Sequence, residues 1–299
     1  MKLYKLAAID IGSNAVRLLV KNVIERNRKI YYRKSSLIRI PIRLGEEAFL
    51  KGKISVKTRN NLVETMIAFK YLMKAQDVMK YKGAATSAMR EASNGADIVK
   101  EIKKKSGIGI DIIDGKEEAR ILYSTHIAQQ LNIDKVYLYV DVGGGSTELT
   151  LFAEKNPKVT ESFNIGTLRI LNKTVKKKDW KVMQDWIANA IKTYKPDSLI
   201  GSGGNINRAF KMIGSIEGKY VTRYNLDQLK SHVQSYSYER RVLELDMRPD
   251  RADVIVPALS IFTNVMEWSD CDKIFVPKMG LADGLIRIQY EKYAARKQK

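Results

Sequence analysis

The 299-residue sequence predicts an α/β chain that is an internal duplication, two domains of similar plan with the site in the cleft between them. Three observations carry this reading. Runs rich in β-branched residues alternate with stretches of helical period. Each half opens on the same order of strand, aspartate, glycine turn and strand, AAIDIGSNAVRLLV and LYVDVGGGSTELTLF, and the leading aspartates, Asp10 and Asp141, stand 131 residues apart. Each half then reaches a second loop of small residues, ATSAMR in the first and GSGGN in the second. The length is about twice a typical domain of roughly 150 residues, which fits two units.

The elements follow in order. Residues 6–11 read as a buried strand, and the turn at 12–14 leads into a second strand at 16–20. A third strand is expected at about 29–39. Ser55 would cap a long amphipathic helix whose inward positions include Leu62, Val63, Met66, Ile67, Phe69, Leu72 and Met73. Short strands at 81–85 and 110–113 flank a lysine-rich helix, 96–105, stopped at Gly107. A helix at 117–131 enters after Asp114-Gly115, and the domain boundary falls there, dividing 1–122 from 123–282. The pattern then restarts, with strands at 136–142, 146–152 and 159–164. Helices at 178–194, 226–238 and 251–268 follow, with strands at 198–200 and 273–276 and a last helix from about 283 to 293.

Composition excludes several classes. Lys plus Arg total 53 against 33 Asp plus Glu, a net charge of +20 that favours an anionic partner or substrate. The single cysteine, Cys271, excludes an internal disulfide and a cysteine-rich metal centre. Two distant histidines, His126 and His232, leave little for histidine-based metal sites. The N-terminal MKLYKLAAIDIG turns charged and glycine-rich before an apolar core develops, so no signal peptide is expected. No apolar run approaches the length of a spanning helix, and a cytoplasmic location is the expectation.

The strongest local signal is DVGGGSTE, Asp141 to Glu148. Three glycines after a buried strand permit close backbone approach, and the N–H groups of Gly143, Gly144, Gly145 and Ser146 can converge on phosphate oxygens. Asp141 and Glu148 can hold a divalent cation or orient water. The order strand–turn–strand, without GxxxxGK[ST], argues against a dinucleotide fingerprint or a Walker A loop. DIGSN is the partner turn: Asp10 could reach a metal through water, while Gly12, Ser13 and Asn14 supply neutral donors to phosphate. Arg17 follows on the returning strand. GKEEAR places Glu117 and Glu118 in a first helical turn, where acids also complement the helix dipole; a general base there is the functional reading, for one of the two. Thr86 and Ser87 before one helix, and Gly203 and Gly204 before another, resemble anion-binding helix entrances. Arg43 and Arg90 are candidate phosphate forks. Trp180 and Trp186 look like core, and Cys271 has no partner base in sequence.

Taken in order, DIGSNAVRLLV, RLG, ATSAMREASN, GKEEAR, DVGGGSTE, IGTLR and GSGGN resemble the exopolyphosphatase/guanosine pentaphosphate phosphohydrolase (Ppx/GppA) family, from Lys5 to about Ile288. The resemblance implies tandem ribonuclease H-like domains of the actin, sugar-kinase and Hsp70 ATPase superfamily, related by a pseudo-twofold duplication, with the helix at 283–299 completing the first. It implies Mg²⁺-dependent (or Mn²⁺-dependent) release of the terminal phosphate of inorganic polyphosphate. Glu118 matches the catalytic glutamate, with Glu117 as the fallback. Asp141 and Glu148 match the metal and water-orienting acids, with Asp10 a further metal candidate. Asp10, Ser13, Asn14, Arg90 and the 143–146 turn match the phosphate site. Two departures stand out: Ala15 where a second serine is common, and GLADG, 280–284, for the family's GLREG. The chain ends where long members continue into an HD-type helical domain, so a short two-domain form is expected.

Three other readings compete. Hydrolysis of the 5′ phosphate of guanosine pentaphosphate would need a base pocket. A sugar kinase would need an acceptor site and matches EEA less well. A nucleic-acid or other polyanion binder is motivated by charge alone, without a recognition module, so no specific nucleic acid and no membrane is expected. A homodimer is compatible with the sequence.

Overall fold

The computed structural model describes residues 1–123, 132, 134–154, 156–214, 220–277 and 279–297. The chain divides into two compact units, Met1–Thr125 with Gly280–Lys299, and His126–Met279.

The first unit is built on a five-stranded sheet of order β3-β2-β1-β4-β5: β1 (Lys2–Ile11), β2 (Val16–Arg26), β3 (Lys29–Ile40), β4 (Lys80–Ala85) and β5 (Asp111–Ile112). β1 to β3 form an antiparallel meander, and β4 and β5 add in parallel to β1. From Leu6 onward β1 is apolar without alternation up to Asp10, because both faces of the sheet are covered. On one face Ile9, Ile11, Val16 and Leu18 pack with Leu62, Met66 and Phe69 of the helix Val56–Ala75 and with Ile98 and Ile102 of the helix Gly95–Ser106. Ser55 caps the first of these helices, its side chain accepting from the Thr58 N–H, and Gly107 ends the second in the left-handed conformation. The C-terminal helix Leu281–Lys297 covers the other face, where Gln289 donates to the Ala7 carbonyl at 2.8 Å.

The second unit carries a six-stranded sheet of order β10-β11-β9-β6-β7-β8: β6 (Tyr137–Val142), β7 (Thr147–Ala153), β8 (Asn156–Phe163), β9 (Ser198–Ser202), β10 (Tyr220–Thr222) and β11 (Lys273–Phe275). β6 to β8 again form an antiparallel meander, with β9 and then β11 added in parallel. The helix Ile255–Trp268 is its central packing element, burying Ile255, Leu259, Ile261, Phe262, Val265 and Met266. Trp186 packs edge-on against Phe163 and Trp180 against Trp268, both partly buried at the core margin.

Several boundaries differ from the sequence expectations. The helix expected at 226–238 is Arg223–Gln234 followed by a separate Tyr238–Leu243, because Ser237 starts a new cap by accepting from the Arg240 N–H. That expected at 251–268 is split into Pro249–Ala252 and Ile255–Trp268. Helices at Leu44–Lys51, Ser87–Glu91 and Thr167–Leu171, and the strand β10, had no periodic signal because they are eight residues or shorter. The helix expected at 117–131 begins at Gly115 and is described to Tyr123; its remainder, with His126, lies outside the described residues. Among the described residues no helix is long and apolar enough to cross a membrane.

Candidate active site

In the first unit the turn after β1 is closed by the Gly12 N–H donating to the Ala15 carbonyl at 3.2 Å. Its other carbonyls are taken by the segment leading into the helix Leu44–Lys51: Arg43 N–H donates to Asn14 O (3.1 Å) and Gly45 N–H to Ser13 O (2.8 Å). The second unit repeats these bonds. Gly143 N–H donates to Ser146 O (2.9 Å), Thr167 N–H to Gly143 O (3.0 Å), Leu168 N–H to Gly144 O (2.9 Å), and Arg169 Nε to Gly145 O (2.7 Å). In the second turn all four carbonyls that would repel an anion are occupied, and in the first those of Ser13, Asn14 and Ala15 are. Glycine at 166 is required because a Cβ there would lie 2.4 Å from Gly144 O. Gly203, at φ 109°, is required likewise: a Cβ would sit 2.9 Å from Val142 O and 3.4 Å from a carboxylate oxygen of Asp141. The GSGGN loop therefore passes directly over the end of β6.

Strand register decides what flanks each turn. Across the second sheet, Ser202, Asp141, Glu148 and Ser162 form one row on β9, β6, β7 and β8. Glu148 is 2% exposed and accepts from Ser162 Oγ at 3.0 Å. Directly opposed residues of antiparallel strands share a face, so Asp141 and Glu148 bring two carboxylates together. The matching row of the first sheet is Ala84, Asp10, Arg17 and Arg39. There Arg17 Nη1 lies 2.9 Å from Asp10 Oδ2, so Asp10 is neutralised within its own sheet. The same fold position thus holds an ion pair in one unit and an acid pair in the other.

The remaining candidates of the first unit gather at the C-terminal ends of β1, β4 and β5, the edge where open α/β sheets place ligands. Thr86 N–H donates to Ile11 O (3.1 Å), and Ser87 Oγ lies 2.9 Å from Ser13 Oγ. Arg90 Nη1 donates to Ile113 O at 2.8 Å, just before the helix that carries the two glutamates. Asp114 caps that helix by accepting from the Glu117 N–H at 2.7 Å. Glu117 is gripped by Nε and Nη2 of Arg120, at 2.6 and 2.7 Å, which holds its carboxyl below the usual range. Glu118, one residue on, is half-buried. The backbone of Arg43 reaches the turn, but its Nε is engaged by Glu46 at 2.5 Å rather than extended as a fork. Asp283 of GLADG accepts from the Gly280 N–H and pairs with Lys21 of β2 at 2.5 Å, tying the C-terminal helix to the sheet.

Arg251 was not legible in the sequence. Its guanidinium packs on Gly204, where a Cβ would meet Nη2 at 2.9 Å, and Nη1 donates to the Gly204 carbonyl. No spacing signal pointed to it; only the fold brings it to the GSGGN loop. Cys271 is buried, donates to Pro196 O, and burial pushes its thiol up to about 11, which excludes a nucleophile at neutral pH. His232 stands exposed against Tyr236. No group of three His, Cys, Asp or Glu side chains suited to a metal occurs among the described residues.

The fold has counterparts among solved structures. The exopolyphosphatase structure from Cytophaga hutchinsonii aligns with a TM-score of 0.82 at 22% identity, covering 96% of this chain and 98% of that one. The Aquifex aeolicus Ppx/GppA family member aligns with a TM-score of 0.77, also at 22% identity, over 98% and 99%. These likenesses give the α/β fold. In sequence, exopolyphosphatase 1 of Mycobacterium tuberculosis is 22% identical over 94% of this chain and 87% of its own length. The model of the Ppx/GppA phosphatase family matches residues 36–292, which takes in the GKEEAR helix, the triple-glycine turn and the GSGGN loop, and on that match the chain belongs to this family of hydrolases.

Proposed function

We propose that the chain is a Mg²⁺-dependent exopolyphosphatase that removes the terminal phosphate of inorganic polyphosphate by attack of water. The observation that carries this reading is the triple-glycine turn with its carbonyls occupied, flanked by the opposed acids Asp141 and Glu148. The exopolyphosphatases among its relatives support the substrate class. The shared strand order of the two sheets and the matched turn bonds support an origin by duplication, with ribonuclease H-like units in pseudo-twofold relation.

In this reading the donors of Ser13, Asn14, Gly144, Gly145 and Ser146 and the entrances at Thr86-Ser87 and Gly203-Gly204 hold phosphate oxygens, while the N–H groups of Gly12 and Gly143 close their turns instead. Arg90 and Arg251 add positive charge, and Arg43 positions the first turn through its backbone. Glu118 accepts the proton of the attacking water. Glu117 is the poorer base, because a carboxylate held down by Arg120 takes up a proton less readily. Asp141 and Glu148 fit Mg²⁺, which is held by one or two carboxylates plus substrate phosphates rather than by a closed protein cage. When bound, Mg²⁺ would screen the charge of the phosphate oxygens. Asp10 contributes less to the cation, since its charge is matched by Arg17.

The test is phosphate release from long polyphosphate, tripolyphosphate, guanosine pentaphosphate and ATP, with and without Mg²⁺. Mg²⁺-dependent release from polyphosphate is expected. Release from guanosine pentaphosphate alone, or ATP consumption only with a sugar present, would replace this reading.

A further inference from the structure

β3 is the free edge of the first sheet, and it runs toward the site. Ile11, Val16 and Ile40 share a row, so β3 ends beside the turn after β1, and its first residues lie at the far end. Twelve residues of strand span about 40 Å. Residues 26–39, RNRKIYYRKSSLIR, carry six basic side chains and no acid. Arg26, Arg28, Lys29, Arg33 and Lys34 are all exposed, and none of them is in an ion pair among the described residues. The nearby acids on the sheet and the C-terminal helix are committed elsewhere: Asp283 to Lys21, Glu25 to the Tyr290 hydroxyl and Glu291 to Arg287.

The hairpin tip adds an independent sign. Asn27 and Arg28 both have positive φ, 51° and 58°, the geometry of a two-residue turn that favours Asn-Gly. A bulky arginine at the second position carries a backbone cost that glycine would not. The tip therefore keeps a cation where local geometry prefers none.

We propose that the β2–β3 hairpin and the β3 edge form a remote subsite for a linear polyphosphate chain whose terminus is in the active site. The inference rests on the exopolyphosphatase reading. An extended polyanion presents a charge at every unit and matches unneutralised cations, Arg26 to Lys34, on a hairpin whose second strand has its last residues beside the turn after β1. Stacked nucleobases match it less well, because Tyr32 lies between Tyr290 and Arg287 and Tyr31 is engaged by Arg33.

The test is the fourfold variant Arg28→Gly, Lys29→Thr, Arg33→Thr and Lys34→Thr, which relieves the turn and keeps strand-forming residues. Affinity for end-labelled long polyphosphate and for tripolyphosphate is measured directly at several salt concentrations, with phosphate release measured separately. Long-chain affinity should fall at least tenfold near 0.1 M salt, and the slope of log K against log salt should shrink by about 3, at roughly 0.7 for each cation removed. Tripolyphosphate binding and kcat should stay unchanged. Unchanged long-chain affinity and slope would overturn the subsite. Single-stranded RNA of equal charge binding as tightly as polyphosphate, and losing as much, would overturn its assignment to polyphosphate. Absence of phosphate release by the wild-type chain would instead refute the functional reading, because binding is scored independently.

Discussion

Replacing Gly166 by alanine puts a single methyl group against the triple-glycine turn. The added Cβ would lie 2.4 Å from Gly144 O and Gly145 C and 2.5 Å from Gly144 C, where ordinary contact begins near 3.4 Å. All three are backbone atoms, so no flexible side chain can swing aside and the turn must move by about 1 Å. Overpacking of this kind costs about 1–3 kcal/mol, and at about 2–4 °C per kcal/mol for a domain of this size the melting midpoint should fall by roughly 5 °C. The effect on turnover should be larger in proportion, since a misplacement of about 1 Å at a reacting centre costs on the order of a hundredfold. Gly109→Ala is the control, because its Cβ would meet only Lys103 Nζ, at 3.6 Å. Calorimetry and steady-state phosphate release at 25 °C, where both variants remain folded, separate the two effects. A lowered midpoint with kcat within about twofold of wild type would show that the turn is packing and not part of the site.

Glu118→Gln should lower kcat by about two to four orders of magnitude with substrate affinity retained, as expected for loss of a general base. Glu117→Gln should lower it far less, and the reverse ranking would move the base to Glu117. Glu148→Gln should raise the Mg²⁺ concentration needed for half-maximal rate, with excess Mg²⁺ recovering part of the loss; an unchanged metal titration would remove the acid pair from the cation site. Alkali should loosen the C-terminal helix. Burial raises the hydroxyl pKa of Tyr32 to about 12, and burial together with the Glu25 contact raises that of Tyr290 further. Groups whose folded pKa is raised contribute stability that is complete below the unfolded value and is lost as pH climbs through the folded one. The melting midpoint should therefore fall from about pH 10 upward, more shallowly in Tyr32→Phe, and a flat profile to pH 12 would contradict the burial.

Much of this was legible in the residues, because the two turns announce themselves by composition. A buried strand that stops at an aspartate and runs into glycine leaves few alternatives, and both DIGSN and DVGGGSTE lie where that pattern puts them. The cap at Ser55 and the stop at Gly107 were equally local. Register was not. That Arg17 faces Asp10 while Glu148 faces Asp141 depends on which residues stand opposite across strands, and linear spacing does not give the face of an arginine on a strand. Arg251 was hidden for a related reason. It is remote in sequence from Gly204 and becomes a neighbour only when the helix after Pro249 packs beside the loop. The short helix Leu44–Lys51 escaped because eight residues hold barely two turns of period.

The buried thiol has a practical consequence for spectroscopy. Cys271 is the chain's sole cysteine, 3% exposed and with its pKa near 11, so at pH 7 only about one thiol in ten thousand is ionised and reactive. For maleimide or nitroxide chemistry the native chain behaves as if it had no cysteine. One new cysteine placed at the hairpin tip and another in the second unit would accept a pair of reporters without background labelling. Distance changes between them on addition of polyphosphate could then be followed in the otherwise unmodified protein.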